Sequence, residues 1–326
     1  MSINARHLAP GWPESLLSEA EFSRLWQTIR PRFLELMRQQ QIPNTQATEL
    51  AALYLPLAAW LNSQLNRTPL VIGINGAQGS GKTTLTDFLS VILTQLFGKR
   101  IAGFSIDDIY RTRNERNILA ETVHPLLRTR GVPGTHDVAL GLSTLSKLKG
   151  ATTATLTPIP SFDKGTDDRL PSLEWRQFRG RPDIILFEGW CVGAIPQPDH
   201  ALMLPVNELE SQEDPSGVWR HFVNEQLKGP YAALFAEIDC QLMLKVPSMD
   251  SVFEWRSLQE RKLAVQRGHD GMAPQLMEPP EIRRFIMHYE RLTRHMLQEM
   301  PDRADLVLHL GDTHRCTRIE CRPKPG

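Results

Sequence analysis

The chain has 326 residues, 41% of them hydrophobic, which is enough for one large core. Its 37 lysines and arginines balance 37 aspartates and glutamates, so no global charge favours nucleic acid or a membrane surface, and we expect a small-molecule partner. Its four cysteines form no C-x-x-C pair that would indicate zinc or redox work, and residues 1–12 lack the apolar core of a signal peptide, so we expect a cytoplasmic protein.

The first predicted elements are helices. Residues 14–66 carry apolar side chains at helical spacing, with a break at residues 42–44, and contain no recognisable chemistry. We interpret residues 1–68 as an amino-terminal helical extension packed on the core, and residues 69–326 as the main domain. A protein-interaction surface is the alternative for the extension.

Residues 71–90 contain the motif around which the chain is organised. An apolar run at residues 71–74 predicts a strand, and apolar residues at helical spacing from Leu85 to Leu96 predict a helix. Between them, GAQGSGKT at residues 76–83 matches the phosphate-binding pattern G-x-x-x-x-G-K-[ST] at every fixed position. Glycines let successive N–H groups point at phosphate oxygens, and the amino terminus of the helix favours negative charge.

The motif predicts a role for each position. Lys82 would reach the β- and γ-phosphates, and the Thr83 hydroxyl would hold Mg²⁺. The alternative is a structural glycine turn without a nucleotide, which the strand–loop–helix context disfavours. The predicted nucleotide-binding residues of this segment are Gly76, Ala77, Gln78, Gly79, Ser80, Gly81, Lys82, Thr83 and Thr84.

The second predicted strand, residues 99–106, ends at a pair of acids, Asp107 and Asp108. Parallel α/β sheets bind ligands at the carboxyl ends of their strands. A phosphotransferase needs a carboxylate there, to orient the acceptor hydroxyl and to take its proton. We predict Asp107 in that role, and the alternative for both aspartates is that they cap the next helix.

Two polar loops follow. RTRGVPGTHD, residues 128–137, gathers arginines, a histidine and an aspartate that would bind an anionic acceptor. Thr135 or Asp137 could instead cap the helix that follows. PIPSFDKGTDDR, residues 158–169, resists burial, so its charges are either solvated or part of a site.

A further apolar strand within residues 182–190 ends at Glu188. In enzymes with this phosphate-binding loop, an acid at that place supports Mg²⁺ directly or through its water. A solvent-facing glutamate is the alternative. The sequence therefore predicts Thr83 and Glu188 as the metal site.

The remaining elements are a helix at residues 218–227, a strand at 241–246, a helix from 248 to about 266, a helix at 281–300 and a closing strand at 305–310. The helix from 248 carries Arg256, Arg261 and Arg267, which either form a solvated face or cover the phosphates as a mobile lid. Residues 268–271 would be its hinge, and residues 311–326 a final turn and a frayed tail.

These segments together resemble a known group, the P-loop kinases of small metabolites, which include uridine kinase, pantothenate kinase and phosphoribulokinase. Within it they most resemble the D-glycerate 3-kinase family and its kinase-like relatives. The matching words occur in the same order between about residues 70 and 310: GAQGSGKTTL (76–85), SIDDIY (105–110), RGVPGTHD (130–137), PSFDKGTDDR (160–169), FEGWCVG (187–193), LPVNELE (204–210), WRSLQERKL (255–263) and GMAPQLMEPPEIRRFIMHYERLT (271–293).

The resemblance implies an α/β protein with the three-layer fold of P-loop NTPases: a mostly parallel sheet, amino-terminal helices and a helical lid at about residues 250–272. It implies ATP and Mg²⁺ as cofactors. Asp107, Lys82 and Arg261 would be catalytic, Arg256 would bind the nucleotide, and Thr83 and Glu188 would hold the metal. The acceptor pocket would contain Asp108, Tyr110, Arg130, His136, Asp137, Asp163, Lys164 and Arg169.

Two positions depart from the family pattern. Ile109 replaces the usual aromatic residue after the paired aspartates, and we expect it to reshape the acceptor pocket. Residues 273–276, Ala-Pro-Gln-Leu, replace a segment that is usually acidic.

The leading functional hypothesis is ATP-dependent phosphorylation of a small hydroxylated metabolite, with D-glycerate to 3-phosphoglycerate as the favoured reaction. One alternative is a kinase for another small alcohol, such as a nucleoside or a pantothenate-like compound. Another is a non-kinase NTPase that acts on a protein partner. The sequence lacks the guanine-recognition motif N-K-x-D, which argues against a GTPase. The sequence does not define the oligomeric state.

Overall fold

The computed structural model describes residues 11–12, 16–269 and 277–322, and for residues 262–269 it describes the backbone alone. The α-helices are α1 (Glu19–Gln39), α2 (Ala47–Ser63), α3 (Lys82–Phe97), α4 (Arg113–Thr122), α5 (Val138–Gly150), α6 (Glu208–Glu213), α7 (Val218–Lys228), α8 (Pro230–Phe235), α9 (Met249–His269) and α10 (Pro279–Glu299). The strands are β1 (Leu70–Gly76), β2 (Ile101–Ser105), β3 (Leu156–Ile159), β4 (Phe162–Asp163), β5 (Asp168–Arg169), β6 (Arg176–Arg179), β7 (Ile184–Gly189), β8 (Cys240–Lys245), β9 (Leu306–Leu310) and β10 (Cys316–Cys321).

Six strands form the central sheet in the order β10-β9-β8-β1-β7-β2. The neighbours from β9 to β2 are parallel, and only β10 pairs antiparallel, with β9. Two small antiparallel ribbons, β3–β6 and β4–β5, lie outside this sheet. Because β1 is central and flanked by parallel strands, its carboxyl end lies in the middle of the ligand-binding edge.

Alternating residues of the central strands pack into two separate apolar cores. On β1, Leu70 and Ile72 enter the core formed with α1, α2 and α3, whereas Val71 enters the core formed with α5 and α8. This period of two follows from the pleat of a strand buried on both faces. The structure therefore has helices on both faces of a mostly parallel sheet, and the predicted three-layer α/β fold is confirmed.

The amino-terminal helices form as the sequence pattern predicts, and the predicted interruption of the helical pattern lies between α1 and α2. Both pack on α3, where the ring of Phe88 lies 4.6 Å from that of Phe33 in α1 and 5.0 Å from that of Tyr54 in α2. Gln40, which ends α1, accepts a hydrogen bond from the Thr84 hydroxyl at 2.6 Å. The division of the chain at residue 68 stays a prediction.

Three predicted boundaries are wrong. Residues Cys316–Cys321 form β10 rather than a frayed tail, because Ile319 packs into the core. The strand was not predicted, since Ile319 is one of few apolar residues in this segment. Helix α9 continues through Gly268 and His269, where we expected a hinge, and Asp270 and Gly271 lie outside the described residues. Helices α6 and α8 were not predicted, since both are only six residues long.

All four cysteines are free thiols. Within the described ranges, no helix combines the length and the hydropathy that a membrane crossing requires.

Candidate active site

Three neighbouring strands end together at the candidate site. In the register of the sheet, Glu188 on β7 lies between Ile74 of β1 and Ser105 of β2. The phosphate-binding loop follows β1 directly, and Asp107 follows β2 by two residues on a short 3₁₀-helix. Parallel strands therefore bring the loop, Asp107 and Glu188 to one edge, although the three are separated by up to about a hundred residues in sequence.

The loop has the backbone that its glycines predict. Gly79 and Gly81 have φ angles of +76° and +90°, in the left-handed region that favours glycine. Gly76 lies so close to its neighbours that a Cβ there would be 2.6 Å from the Ser80 hydroxyl. The side-chain oxygens of Ser80 and Gln78 are buried and have no hydrogen-bond partner among the described residues.

Lys82 and Glu188 form the charged centre of this edge. The ammonium of Lys82 donates to the Ala77 carbonyl at 3.1 Å, so the side chain folds back over the loop. Burial lowers the pKa of Lys82, and Glu188 and Asp107 oppose that shift. Burial likewise raises the pKa of Glu188, against the attraction of Lys82. Each group thus carries a desolvation cost that a charged ligand of the opposite sign would offset.

Thr83 and Glu188, the predicted metal site, contact each other, and metal binding by this pair stays a prediction. The exposed Thr83 hydroxyl donates to a carboxylate oxygen of Glu188 at 3.4 Å. Both are oxygen donors, the type that Mg²⁺ prefers, and Mg²⁺ keeps several water ligands and needs few from the protein. Among the residues whose side chains the structure describes, no cluster of three or more histidines, cysteines or acids could hold a metal ion.

Both carboxylate oxygens of Asp107 accept hydrogen bonds. The Tyr110 hydroxyl donates to Oδ1 at 2.8 Å, and the Lys164 ammonium donates to Oδ2 at 2.7 Å. Burial alone would raise the pKa of Asp107, but the charge and hydrogen bond of Lys164, together with Tyr110, hold that pKa below its ordinary value. Asp107 is therefore ionised at neutral pH and able to accept a hydrogen bond from a hydroxyl group.

Tyr110 and His136 form an aromatic wall beside Asp107. Their rings stack at 4.6 Å, and Phe162 meets Tyr110 edge to face at 5.2 Å. His136 is 1% exposed, and burial lowers its pKa to about 3, so the imidazole is neutral. Its Nδ1 bonds the Tyr231 hydroxyl at 2.5 Å, and its Nε2 has no hydrogen-bond partner among the described residues.

Tyr231 links His136 to the backbone of the same loop. Its hydroxyl oxygen accepts the Gly134 N–H at 2.9 Å, and its hydroxyl also forms the hydrogen bond to Nδ1 of His136. When Tyr231 donates in that bond, the His136 proton resides on Nε2. Sequence reasoning missed Tyr231, because it lies in α8, a short helix outside every motif.

Two arginines predicted in the acceptor pocket are already paired with acids. Arg130 forms an ion pair with Asp167. Arg169 bonds Asp137 at 2.9 Å and Glu115 at 3.2 Å. These guanidinium groups tie the two polar loops and α4 together, so their charges are largely neutralised within the protein.

Three predicted acceptor-pocket aspartates also shape the local backbone. Asp108 accepts the Ser105 N–H at 2.8 Å in a capping box, and Asp137 caps α5 by accepting the Leu140 N–H at 3.0 Å. Asp163 accepts the Gly165 N–H at 2.8 Å and so builds the turn of the β4–β5 hairpin. The capping alternatives weighed for Asp108 and Asp137 therefore describe real contacts, and substrate binding by these three residues stays a prediction.

Ile109 does not contribute to the acceptor pocket as expected. Its side chain is fully buried in the core beneath α5, where a Cβ at Gly141 would lie 2.9 Å from the Ile109 Cδ1. The expectation that this departure reshapes the pocket is wrong, because the residue faces the core.

The predicted lid begins beside the phosphate-binding loop. A Cβ at Gly79 would lie 2.9 Å from the Trp255 Cβ of α9, so the helix and the loop are in close contact. Arg256 pairs with Glu260 and lies 5.2 Å above the Phe285 ring, whereas Arg261 is exposed. The side chain of Arg267 and residues 270–272 of the predicted lid lie outside the described part of the chain.

Trp255 and His314 were also missed from sequence. Their rings stack at 3.8 Å, and the His314 ring nitrogen Nε2 lies 3.0 Å from the Gly79 carbonyl oxygen. His314 belongs to the turn between β9 and β10, and the sequence analysis predicted that turn without a role for His314. The loop is thus flanked by two elements distant in sequence.

Comparisons with known proteins agree with this geometry. No protein-family model matches the chain. The chain is 33% identical over 230 residues to mug58, described as an uncharacterized kinase of Schizosaccharomyces pombe, which covers 68% of this chain and 78% of that protein. It is 30% identical over 262 residues to the chloroplastic D-glycerate 3-kinase of Arabidopsis thaliana, which covers 75% of this chain but only 54% of that protein.

A solved structure extends the comparison to three dimensions. The D-glycerate 3-kinase from Cryptococcus neoformans matches with a TM-score of 0.67 and 26% identity, over 83% of this chain and 99% of that one. This similarity extends over the fold and over the sequence motifs. In this chain the loop, Asp107 and Glu188 lie at one edge of the sheet. The chain belongs to the P-loop kinases of small metabolites and is an ATP-dependent phosphotransferase.

Proposed function

We propose that this kinase transfers the γ-phosphoryl group of ATP to a hydroxyl group of D-glycerate and forms 3-phosphoglycerate. Two of the similar proteins are D-glycerate 3-kinases, which supports this acceptor. The observation that carries the proposal is the position of Asp107, at the same edge as the phosphate-binding loop and hydrogen-bonded to Lys164. A carboxylate beside a cation suits an acceptor that has both a hydroxyl and a carboxylate group.

The donor half of the site would work through the loop. Backbone N–H groups and the amino terminus of α3 would surround the phosphates, and Lys82 would neutralise the charge that develops on the transferred group. The buried side-chain oxygens of Ser80 and Gln78 lack protein partners within the described residues, which is consistent with a polar ligand here. Arg256 or Arg261 on α9 would add positive charge from the lid.

Mg²⁺ would be held by Thr83 and Glu188. When bound, it would supply positive charge that offsets the negative charge of the nucleotide phosphates. The pairing of an exposed hydroxyl with a carboxylate of raised pKa fits a divalent cation, since the cation would stabilise the ionised form of Glu188.

The acceptor half would orient the nucleophile. The acceptor hydroxyl donates a hydrogen bond to Asp107, its oxygen forms a bond to the γ-phosphorus, and the bond from that phosphorus to the oxygen of ADP breaks. Asp107 receives the hydroxyl proton as this happens. The Tyr110 hydroxyl holds the carboxylate in place, which reduces the entropy cost of reaching the reactive geometry.

An acceptor screen tests the proposal. Purified protein is mixed with Mg-ATP and, separately, with D-glycerate, glycerol, uridine and pantothenate, and ADP release is followed. We expect ADP release well above background hydrolysis with D-glycerate. Stimulation by another acceptor instead would overturn D-glycerate as substrate and leave the kinase assignment intact.

We also propose the cytoplasm as the compartment, since the four free thiols fit a reducing environment.

A further inference from the structure

Three arginines near the acceptor half are engaged inside the protein. Arg116 is fully buried and bonds the carbonyl oxygens of Arg128 at 2.9 Å and Asp167 at 2.7 Å. Arg130 pairs with Asp167, and Arg169 pairs with Asp137 and Glu115. Removing any of these arginines from its acids would leave a desolvated charge unpaired, which is costly.

Lys164 differs from these arginines in exposure and in partner. Its side chain is 60% exposed on the turn of the β4–β5 hairpin, and its ion-pair partner is Asp107, the predicted base. Because the ammonium is the exposed end of this pair, it stays solvated when it moves, so turning to another carboxylate costs it little. The Asp107 carboxylate, whose side chain is 28% exposed, keeps its hydrogen bond from Tyr110.

Distance limits which acceptor group meets Lys164. Its Nζ lies 2.7 Å from Asp107 Oδ2. A hydroxyl oxygen that donates to this carboxylate is about 2.7 Å from it, and so lies within roughly 5.5 Å of Nζ. That span reaches a carboxylate attached one or two carbons from the hydroxyl.

We propose that Lys164 determines acceptor specificity: its ammonium exchanges its hydrogen bond with Asp107 for an ion pair with a carboxylate on the acceptor, so that the site selects hydroxy acids over uncharged alcohols. The inference rests on the proposed phosphotransfer to a small acceptor. It identifies Lys164 as the cation of the pocket that binds the charged group of that acceptor. Asp163 supports it, because that side chain accepts the Gly165 and Thr166 N–H groups and so fixes the turn that carries Lys164.

Paired acceptors test the inference. Each pair has a charged and an uncharged member, D-glycerate with glycerol and 3-hydroxypropionate with 1,3-propanediol, and kcat and KM are measured for both members. The variants are Lys164→Met, which keeps the aliphatic stem, and Lys164→Arg, which keeps the charge. Lys147→Met, an exposed lysine on α5, is the matched control.

For Lys164→Met we expect KM for the charged acceptor to rise about ten- to hundredfold, the range for loss of a hydrogen bond to a charged group, with a smaller change in kcat. The uncharged member should change much less. Lys164→Arg should restore most of the preference, and Lys147→Met should behave as the parent. Thermal melting confirms that the variants are folded.

Several outcomes would overturn the inference. They are an unchanged KM and preference in Lys164→Met, an equal loss for both members of a pair, or a parent enzyme that phosphorylates uncharged alcohols alone or no acceptor. The two proposals fail separately: if 3-hydroxypropionate is phosphorylated and D-glycerate is not, the proposed substrate is wrong, and the pair of 3-hydroxypropionate and 1,3-propanediol decides the role of Lys164.

Discussion

The donor and acceptor halves of the site are built in different ways. The donor half is a run of eight consecutive residues, 76–83, whose glycines and helix terminus act mainly through the backbone. The acceptor half draws Asp107, His136 and Lys164 from three separate segments and depends on side-chain ion pairs and hydrogen bonds. A local motif thus shapes the proposed donor half, whereas tertiary pairing shapes the proposed acceptor half.

The largest expected effect comes from the acceptor half. Asp107→Asn keeps the size of the side chain but removes the negative charge that accepts the hydroxyl proton. We expect turnover to fall about 10²- to 10⁴-fold, the usual contribution of general acid–base catalysis. Steady-state ADP release measures this loss, and ATP affinity, measured by titration of a fluorescent ATP analogue, should stay close to that of the parent.

Loss of ATP binding together with turnover would contradict the separation of the two halves, because Asp107 would then support the donor. Normal turnover in Asp107→Asn would show that another group takes the proton.

The donor half is tested by Gly79→Ala. Gly79 has a φ of +76°, and an added Cβ would lie 2.9 Å from Trp255, so both the loop and its contact with α9 must shift. We expect KM for ATP to rise about tenfold and the free energy of unfolding to fall by about 1–3 kcal/mol, as for other strained backbone positions. Initial rates and thermal melts measure the two effects.

Gly98→Ala is the matched control, since Gly98 also has a positive φ, +62°, but a Cβ there would have no neighbour within 4 Å. It lies at the far end of α3 and should lower stability without changing KM for ATP. If both variants change KM equally, close packing at Gly79 is not what matters.

The contrast between a contiguous donor half and a dispersed acceptor half also explains how much of the fold and of the site the sequence predicted. The fold, the loop, Asp107 and Glu188 were predictable, because strand periodicity and a contiguous motif are local signals. Tyr231, Trp255 and His314 were not, since their roles arise only when α8, α9 and the β9–β10 turn pack against the site. The pairing of Arg130 and Arg169 with acids was equally invisible, because composition shows the charges but not their partners.

The pH dependence of Lys164→Met gives a smaller effect on the acceptor half. Asp107 must be ionised to act, so activity falls as pH falls through its pKa. In the parent, Lys164 holds that pKa below its ordinary value, and activity should persist to low pH. Without the lysine, burial dominates and the pKa rises, so the acid limb of kcat/KM should move to higher pH.

The pH profile of Lys147→Met should match that of the parent. An acid limb that stays in place in Lys164→Met would mean that Lys164 does not set the charge of Asp107.

The smallest expected effect concerns the amino-terminal helices and the donor half. Gln40 accepts from Thr84 at 2.6 Å and donates to Asp87 at 2.5 Å, both on α3. Gln40→Ala removes two hydrogen bonds, and we expect the free energy of unfolding to fall by about 1–2 kcal/mol. Denaturant titration measures this, with Gln39→Ala, an exposed neighbour, as the control. Equal stability of the two variants would contradict a specific α1–α3 contact.

Phosphorus NMR of the reaction tests the central claim most directly, because it identifies the group that receives the phosphate. Protein, Mg-ATP and D-glycerate are mixed, and the products are followed with time. We expect the resonance of 3-phosphoglycerate to grow in equal amount with ADP, and not to appear with Asp107→Asn on the same timescale. Release of inorganic phosphate with ADP, and no phosphorylated glycerate, would contradict phosphotransfer to this acceptor.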